Sequence, residues 1–198
     1  MMARRIYTLF AILMVLGSSA WSQGYMHNLR LAPLSLFTGG TGAGISYEAF
    51  TDESRRVSVV LPLQFGLRNS SIGNNMTATQ EQNYSVMIAP GVRLYPMGKS
   101  TLSYVIGASL FATYGRDNGY AFGGSSSFVA YAERREMRWG SVVSNSLTLD
   151  LSPRINIGLE LLYGYSFQSR FKNKQNDMNT VEGVKEMLSL NFQVGYRF

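Results

Sequence analysis

Hydrophobic and polar residues alternate along several long segments of this chain. In residues 57–67 (VSVVLPLQFGL) and 102–115 (LSYVIGASLFATYG), large apolar side chains recur at every second position. Residues 155–167 (INIGLELLYGYSF) and the last nine residues, LNFQVGYRF, repeat this pattern. Because successive side chains of a β-strand point to opposite faces, a period of two predicts strands and fits helices badly.

Four less regular segments complete a prediction of eight strands: residues 28–37, 43–50, 84–95 and 137–151. The first of them contains Pro33, which predicts a bulge or an edge-like defect because proline cannot donate a hydrogen bond to the ladder.

The predicted connections are of two kinds. Short polar turns occur at 51–56, 96–100 and 152–154, and long polar links at 68–83, 116–136 and 170–185; the link 38–42 is short and rich in glycine. An alternation of short and long connections is typical of outer-membrane barrels, with short periplasmic turns and longer external loops.

The N-terminus predicts a secretory signal peptide at residues 1–20. Arg4 and Arg5 precede an uncharged, largely apolar run from Ile6 to Leu16, and small residues follow up to Ala20. Cleavage is expected after Ala20 or as late as residue 23. The alternative, a membrane-anchoring helix, is disfavoured because a spanning helix needs about 20 apolar residues. Residues 21–198 then form one barrel domain.

Alternation alone does not distinguish a barrel in lipid from a soluble sandwich or a lipocalin-like barrel. The face opposite the large apolar residues carries mostly Gly and Ser, and none of the four Lys lies in a predicted strand. Small residues suit the crowded interior of eight strands, and strands in lipid must close because unpaired backbone groups are costly there. The prediction is therefore an all-β, eight-stranded, antiparallel up-and-down transmembrane β-barrel.

The charges of the residues on the predicted interior face nearly cancel. Because buried charges need partners, these residues predict an ion-pair and hydrogen-bond network in the lumen. The alternative places some of these charges at the rims, in water. The six residues are Arg30, Glu48, Arg93, Asp150, Glu160 and Arg197.

Aromatic residues fall near both ends of the predicted strands, as expected for belts at the two membrane interfaces. Tyr104 and Tyr114, ten residues apart on one face, bracket a strand that would span roughly 25 Å of apolar thickness. The predicted belt comprises Tyr84, Tyr104, Tyr114, Trp139, Tyr163 and Tyr165.

The terminal segment LNFQVGYRF resembles the last strand of bacterial outer-membrane β-barrels, which ends in Phe with an aromatic residue two positions earlier. The whole chain is similar to OmpA/OmpX-type eight-stranded barrels, especially to stand-alone outer-membrane β-barrel domains. The resemblance implies that the barrel-assembly machinery reads this strand and that no periplasmic domain follows. The residues implied in recognition are Leu190, Phe192, Val194, Tyr196 and Phe198.

The resemblance implies a location in the outer membrane, but it does not specify an activity. The favoured function is structural, adhesive or loop-mediated binding without catalysis, with outer-membrane lipids and lipopolysaccharide as partners. Link 116–136 and the residues after it offer aromatic and cationic groups that would suit phosphate binding, although a solvated strand extension is the simpler interpretation. These candidates are Tyr120, Phe122, Phe128, Tyr131, Arg134, Arg135 and Arg138.

Two alternatives stay open. A narrow channel is one, although eight strands leave little open lumen. A lipid-modifying enzyme is the other; the single histidine, His27, is expected on the periplasmic side as a solvated residue, which disfavours it.

The sequence predicts neither a metal nor a cofactor. It has no Cys, and its carboxylates lack calcium-loop spacing. The net charge is too mild and dispersed to predict nucleic-acid binding, and a monomer is expected.

Overall fold

The computed structural model describes residues 27–37, 40–51, 53–72, 79–98, 100–116, 119–122, 129–132, 134–173, 179–182 and 184–198. The strands in these residues are β1 (His27–Phe37), β2 (Gly40–Phe50), β3 (Val57–Ile72), β4 (Thr79–Ile88), β5 (Gly91–Leu94), β6 (Leu102–Arg116), β7 (Gly119–Phe122), β8 (Val129–Ala132), β9 (Arg134–Asp150), β10 (Ile155–Asn173), β11 (Asn179–Glu182) and β12 (Lys185–Arg197). Among the described residues, no helix is long and apolar enough to cross a membrane.

Neighbouring strands pair antiparallel in chain order around a closed barrel. β4 and β5 together form the fourth wall, and β12 pairs with both β10 and β1. The pair Leu29–Tyr196 lies at this closing seam. The prediction of a closed eight-stranded antiparallel barrel is confirmed. β7 and β8 pair only with each other, as a separate hairpin beyond the barrel wall.

Alternation along each wall separates an apolar exterior from a filled interior. Leu110, Leu159 and Val59 project outward with 65%, 49% and 52% of their surfaces exposed, whereas Arg30 and Glu48 on the opposite face are fully buried. A soluble barrel or sandwich would direct its large apolar side chains to the centre. The orientation is therefore the inverse of a soluble β protein.

Two prolines interrupt the ladder without opening the barrel. The pairing of β1 with both neighbours shifts by one residue around Pro33, which is the bulge that the sequence predicted. Pro90 separates β4 from β5, so the predicted single strand 84–95 is divided. The register continues across the gap because Ala89 N donates to Pro62 O at 3.1 Å and Leu110 N donates to Pro90 O at 3.1 Å.

Several strands extend well beyond their predicted bounds, and the assignment of 68–83, 116–136 and 170–185 as loops is largely wrong. β3 and β4 continue to pair as far as Ile72 and Thr79, and β10 pairs with β9 and β11 beyond residue 168. The sequences of these extensions are mostly polar, so hydrophobic alternation did not reveal them, although backbone pairing continues. The signal-peptide prediction lies outside the described residues.

Candidate functional site

The lumen near the short turns, called here the turn end, contains a buried ionic cluster around Glu48. Arg30 Nη2 lies 3.0 Å from Glu48 Oε2, and Arg93 Nη1 lies 3.8 Å from the same oxygen. Glu48 Oε1 accepts hydrogen bonds from Ser58 Oγ at 2.6 Å and Tyr95 Oη at 2.5 Å. Two cations and two hydroxyls therefore compensate a carboxylate with no solvent exposure.

A second carboxylate links this cluster into a ring. Glu160 pairs with Arg93 Nη2, and its Oε2 accepts from Gln193 Nε2 at 2.5 Å. Gln193 Oε1 in turn accepts from Arg30 Nη1 at 3.3 Å. Glu48, Arg30, Gln193, Glu160 and Arg93 thus form a closed circuit, held on five different walls of the barrel. Gln193 and Tyr95 were not predicted to join the network, because formal charge was the only signal that indicated its members.

The remaining two predicted lumenal charges pair separately. Arg197 contacts Asp150 through both terminal nitrogens, with Nη2 to Oδ1 at 2.7 Å. The turn residue Arg55, which adopts a left-handed φ of 54°, places its guanidinium 5.8 Å from the centre of the Phe50 ring. Burial, together with the nearby Arg197 guanidinium, lowers the pKa of Arg55.

The opposite half of the lumen, toward the longer connections and called here the loop end, contains an apolar layer. Met87, Ala89, Phe111, Val142 and Leu162 pack together inside the barrel, with Met187 against them. The expectation that small and ionic residues fill the centre is therefore incomplete. The sequence indicated mostly Gly and Ser on the inner face, so this layer of large apolar side chains was not predicted.

Small residues make space for the rings in this half. A Cβ added at Gly140 would lie 2.8 Å from Phe111 Cε1, and one at Gly66 would overlap Phe37 Cζ. Both contacts are shorter than van der Waals distance, so glycine at these positions permits the aromatic side chains to enter the lumen.

Above the apolar layer, a cavity of about 130 Å³ opens toward the loop end. This cavity, called here the vestibule, has Met87, Phe111 and Met187 among its apolar lining residues. Its charged lining residues are Arg68, Arg116, Glu136, Arg138, Lys185 and Glu186.

The residues proposed for loop binding do not form one group. Arg138 faces the lumen, where its Nε pairs with Glu136, and is therefore directed away from the outer surface. Arg135 lies on the other face of β9 and is exposed. The rest are placed only by their backbone: Tyr120 and Phe122 lie in β7, Tyr131 in β8, and Arg134 begins β9. Phe128 lies outside the described residues.

The residues of the predicted belt all project from the outer surface. Trp139 meets Phe167 edge-on at 5.4 Å between ring centres, and Tyr163 meets Tyr165 edge-on at 5.3 Å. Tyr104 donates to Asn145 Oδ1 at 2.5 Å near the turn end. Tyr84 and Tyr114 are also exposed, at 43% and 49%.

His27 is not solvated, contrary to the expectation from sequence. It begins β1, is 7% exposed, and lies between the rings of Tyr47 and Phe198, whose centres are 5.7 and 5.8 Å away. Its Nδ1 shares a 2.6 Å hydrogen bond with Tyr47 Oη. The stack is formed because pairing with β2 places Tyr47, and the seam places Phe198, beside the first residue of β1.

The side chains of the proposed assembly signal all face outward. Those at alternate positions from Leu190 to Phe198 are between 37% and 52% exposed, on the wall that closes the barrel against β1. Within the described residues, no group of three or more metal-ligating side chains is found.

Comparison with known proteins identifies similar folds at low sequence identity. No protein-family model matches the chain, and no curated protein matches it by sequence. The crystal structure of Neisserial surface protein A matches with a TM-score of 0.58 and 14% identity, covering 87% of this chain and 96% of that one. A major outer membrane protein from Thermus thermophilus matches with a TM-score of 0.58 and 13% identity, covering 87% and 99%. The chain therefore has the fold of outer-membrane β-barrels.

Proposed function

We propose that this protein is an integral barrel of the bacterial outer membrane that has a structural, adhesive or binding role at its loop end and performs no catalysis. The observation that carries this proposal is the inverted orientation of the wall. Large apolar residues such as Leu110 and Leu159 cover the outside, while paired charges occupy the centre. Hydrocarbon is the solvent that suits such a surface.

The occupied lumen supports a closed barrel more than an open channel. The ionic circuit around Glu48 occupies the turn end, and the layer around Phe111 occupies the loop end. An ion crossing the barrel would have to displace both. This arrangement favours a surface role over conductance.

Lipid contacts follow from the same orientation. Trp139 and Phe167 would lie at the outer interface, and Arg135, four residues before Trp139 on the outer face of β9, would reach the phosphates of lipopolysaccharide. The outward side chains of β12 would be available to the barrel-assembly machinery before the seam closes.

Two observations test the proposal. After expression with its N-terminal region, the protein should fractionate with the outer membrane, and its unheated form should migrate faster than its heated form in detergent gels. Recovery of folded protein from the soluble fraction without detergent would contradict it.

A matched pair of variants tests the lipid-facing wall. Leu110→Arg places a charge at the middle of β6 and should destabilise the refolded barrel by about 2–4 kcal/mol, whereas Met97→Arg, in an exposed turn, should cost about 0–1 kcal/mol. Equal effects of the two substitutions in urea titrations with lipid vesicles would contradict the proposed placement.

A further inference from the structure

The vestibule has two chemically different parts. Its base is formed by Met87 and Phe111, which are 6% and 4% exposed, and by the half-buried Met187. The whole vestibule, about 130 Å³, is comparable in size to a cavity that holds one benzene ring, so it admits only a small ligand. The base therefore suits a small apolar group, either one ring or a short alkyl chain.

The upper part of the vestibule is cationic. Its charged lining comprises four cationic and two anionic side chains, so cations remain in excess although Glu136 pairs with Arg138 through Nε. Arg138 is one-quarter exposed and Arg68 is exposed, so both side chains can be reached from solvent. A guanidinium prefers a carboxylate or phosphate partner, to which it donates charge-assisted hydrogen bonds.

From these two parts we infer that the vestibule binds a small amphipathic anion, with a ring-sized apolar group on Met87, Phe111 and Met187 and a carboxylate or phosphate toward Arg68 and Arg138. The inference deepens the proposed binding role and rests on it for one point only, that the vestibule faces the outside of the cell. Binding itself depends on the folded barrel, whatever its cellular location.

Two layers of the lumen explain why the ligand would stop at this depth. The apolar layer lies directly beneath the vestibule, and below it the charges of the ionic circuit already have their own partners. An anion entering further would lose water and meet two buried carboxylates. The site is therefore a blind pocket and not a passage.

The test uses the full chain, refolded in detergent micelles and labelled with ¹³C at the methionine methyl groups. The probe is 3-phenylpropionate, which has one ring and one carboxylate. The signals of Met87 and Met187 should shift saturably, with half-saturation at about 1 mM or below, given the small number of ligand atoms. The signals of Met137, on the outer surface, and Met97, in a turn, are internal controls.

Matched probes and variants identify the anionic interaction. The amine 3-phenylpropylamine carries the same ring with the opposite charge and should bind at least about tenfold more weakly. Arg138→Gln should weaken phenylpropionate binding about tenfold, while Arg135→Gln, on the outer face of the same strand, should leave it unchanged. Heat-modifiable migration verifies that each variant is folded.

Several outcomes would overturn the inference. Linear shifts that include Met137 would mean that the probe only partitions into the detergent. Equal binding of the amine, or equal effects of the two arginine substitutions, would remove the proposed role of charge. If the barrel folds and fractionates as proposed but Met87 and Met187 stay unshifted, the inference fails while the proposed function stands.

A further comparison identifies the class of anion. If phosphate esters of the same ring bind more tightly than the carboxylate, the inference is supported and the anion is assigned to the phosphate class.

Discussion

Tyr95 Oη donates a 2.5 Å hydrogen bond to Glu48 Oε1 across the intervening strand β3, inside the turn end of the barrel. The same hydroxyl accepts from Arg30 Nη2 at 2.9 Å, and Arg30 itself pairs with Glu48 at 3.0 Å. The neutral hydroxyl of Tyr95 therefore contacts both members of the Arg30–Glu48 ion pair. Because Tyr95 is 3% exposed, water is poorly placed to replace this hydroxyl.

Tyr95→Phe should destabilise the barrel by about 1–3 kcal/mol, because it removes a buried hydroxyl and leaves an acceptor position of Glu48 unfilled. Urea titration of the refolded protein in lipid vesicles, followed by tryptophan fluorescence, measures this. The matched control is Tyr114→Phe on the outer surface, for which a change within about 0.5 kcal/mol is expected. Similar values for both variants would show that the Tyr95 hydroxyl has no special role.

Glu48→Gln should be more costly, at about 3–5 kcal/mol, because it leaves the buried guanidinium groups of Arg30 and Arg93 with insufficient negative charge. The double variant Glu48→Gln/Arg30→Met should recover part of this loss. The measurement is a double-mutant cycle on the free energy of unfolding. Additive losses would contradict direct coupling between the two side chains.

The ionic circuit and the apolar layer lie in series along the lumen, and we propose that either one is sufficient to close it. We expect Arg93→Ala to leave the current in planar-bilayer recordings at background, because the apolar layer remains. Phe111→Ala/Leu162→Ala should also stay at background, because the ionic circuit remains. The triple variant should conduct.

Two results would contradict this prediction. Sustained conductance in Arg93→Ala, or in Phe111→Ala/Leu162→Ala, would show that the layer left intact in that variant does not close the barrel. Sustained conductance in the unmodified protein would instead favour the channel alternative. Folded protein, verified by migration before heating, is required in each recording.

Two glycines of the barrel wall should respond differently to alanine. A Cβ at Gly42 would overlap the Phe65 carbonyl oxygen, whereas one at Gly158 meets nothing closer than 3.3 Å. Gly42→Ala should cost about 1–3 kcal/mol through displacement of backbone, and Gly158→Ala should be nearly neutral. The measurement is the urea midpoint of each refolded variant; a reversed order would contradict the described approach of β2 to β3.

The pattern of the sequence was sufficient for the architecture of the wall. Alternation identified which face of each long strand carries the apolar residues, and Pro33 indicated the bulge in β1. This information is local, because neighbouring side chains on a strand necessarily point to opposite faces. The same local rule failed for polar strand extensions such as the end of β3, which carry no hydrophobic period although their backbones pair.

Which inward residues contact one another depends on the folded barrel. The sequence placed Glu48 and Glu160 on the inner face, but their assignment to one circuit depends on strand register and on the neutral groups of Tyr95 and Gln193. It did not show that Phe111, Met87 and Leu162 converge inside the barrel. Alternation specifies the direction of a side chain, whereas contact depends on closure and stagger of the walls, which arise from pairing between residues far apart in the chain.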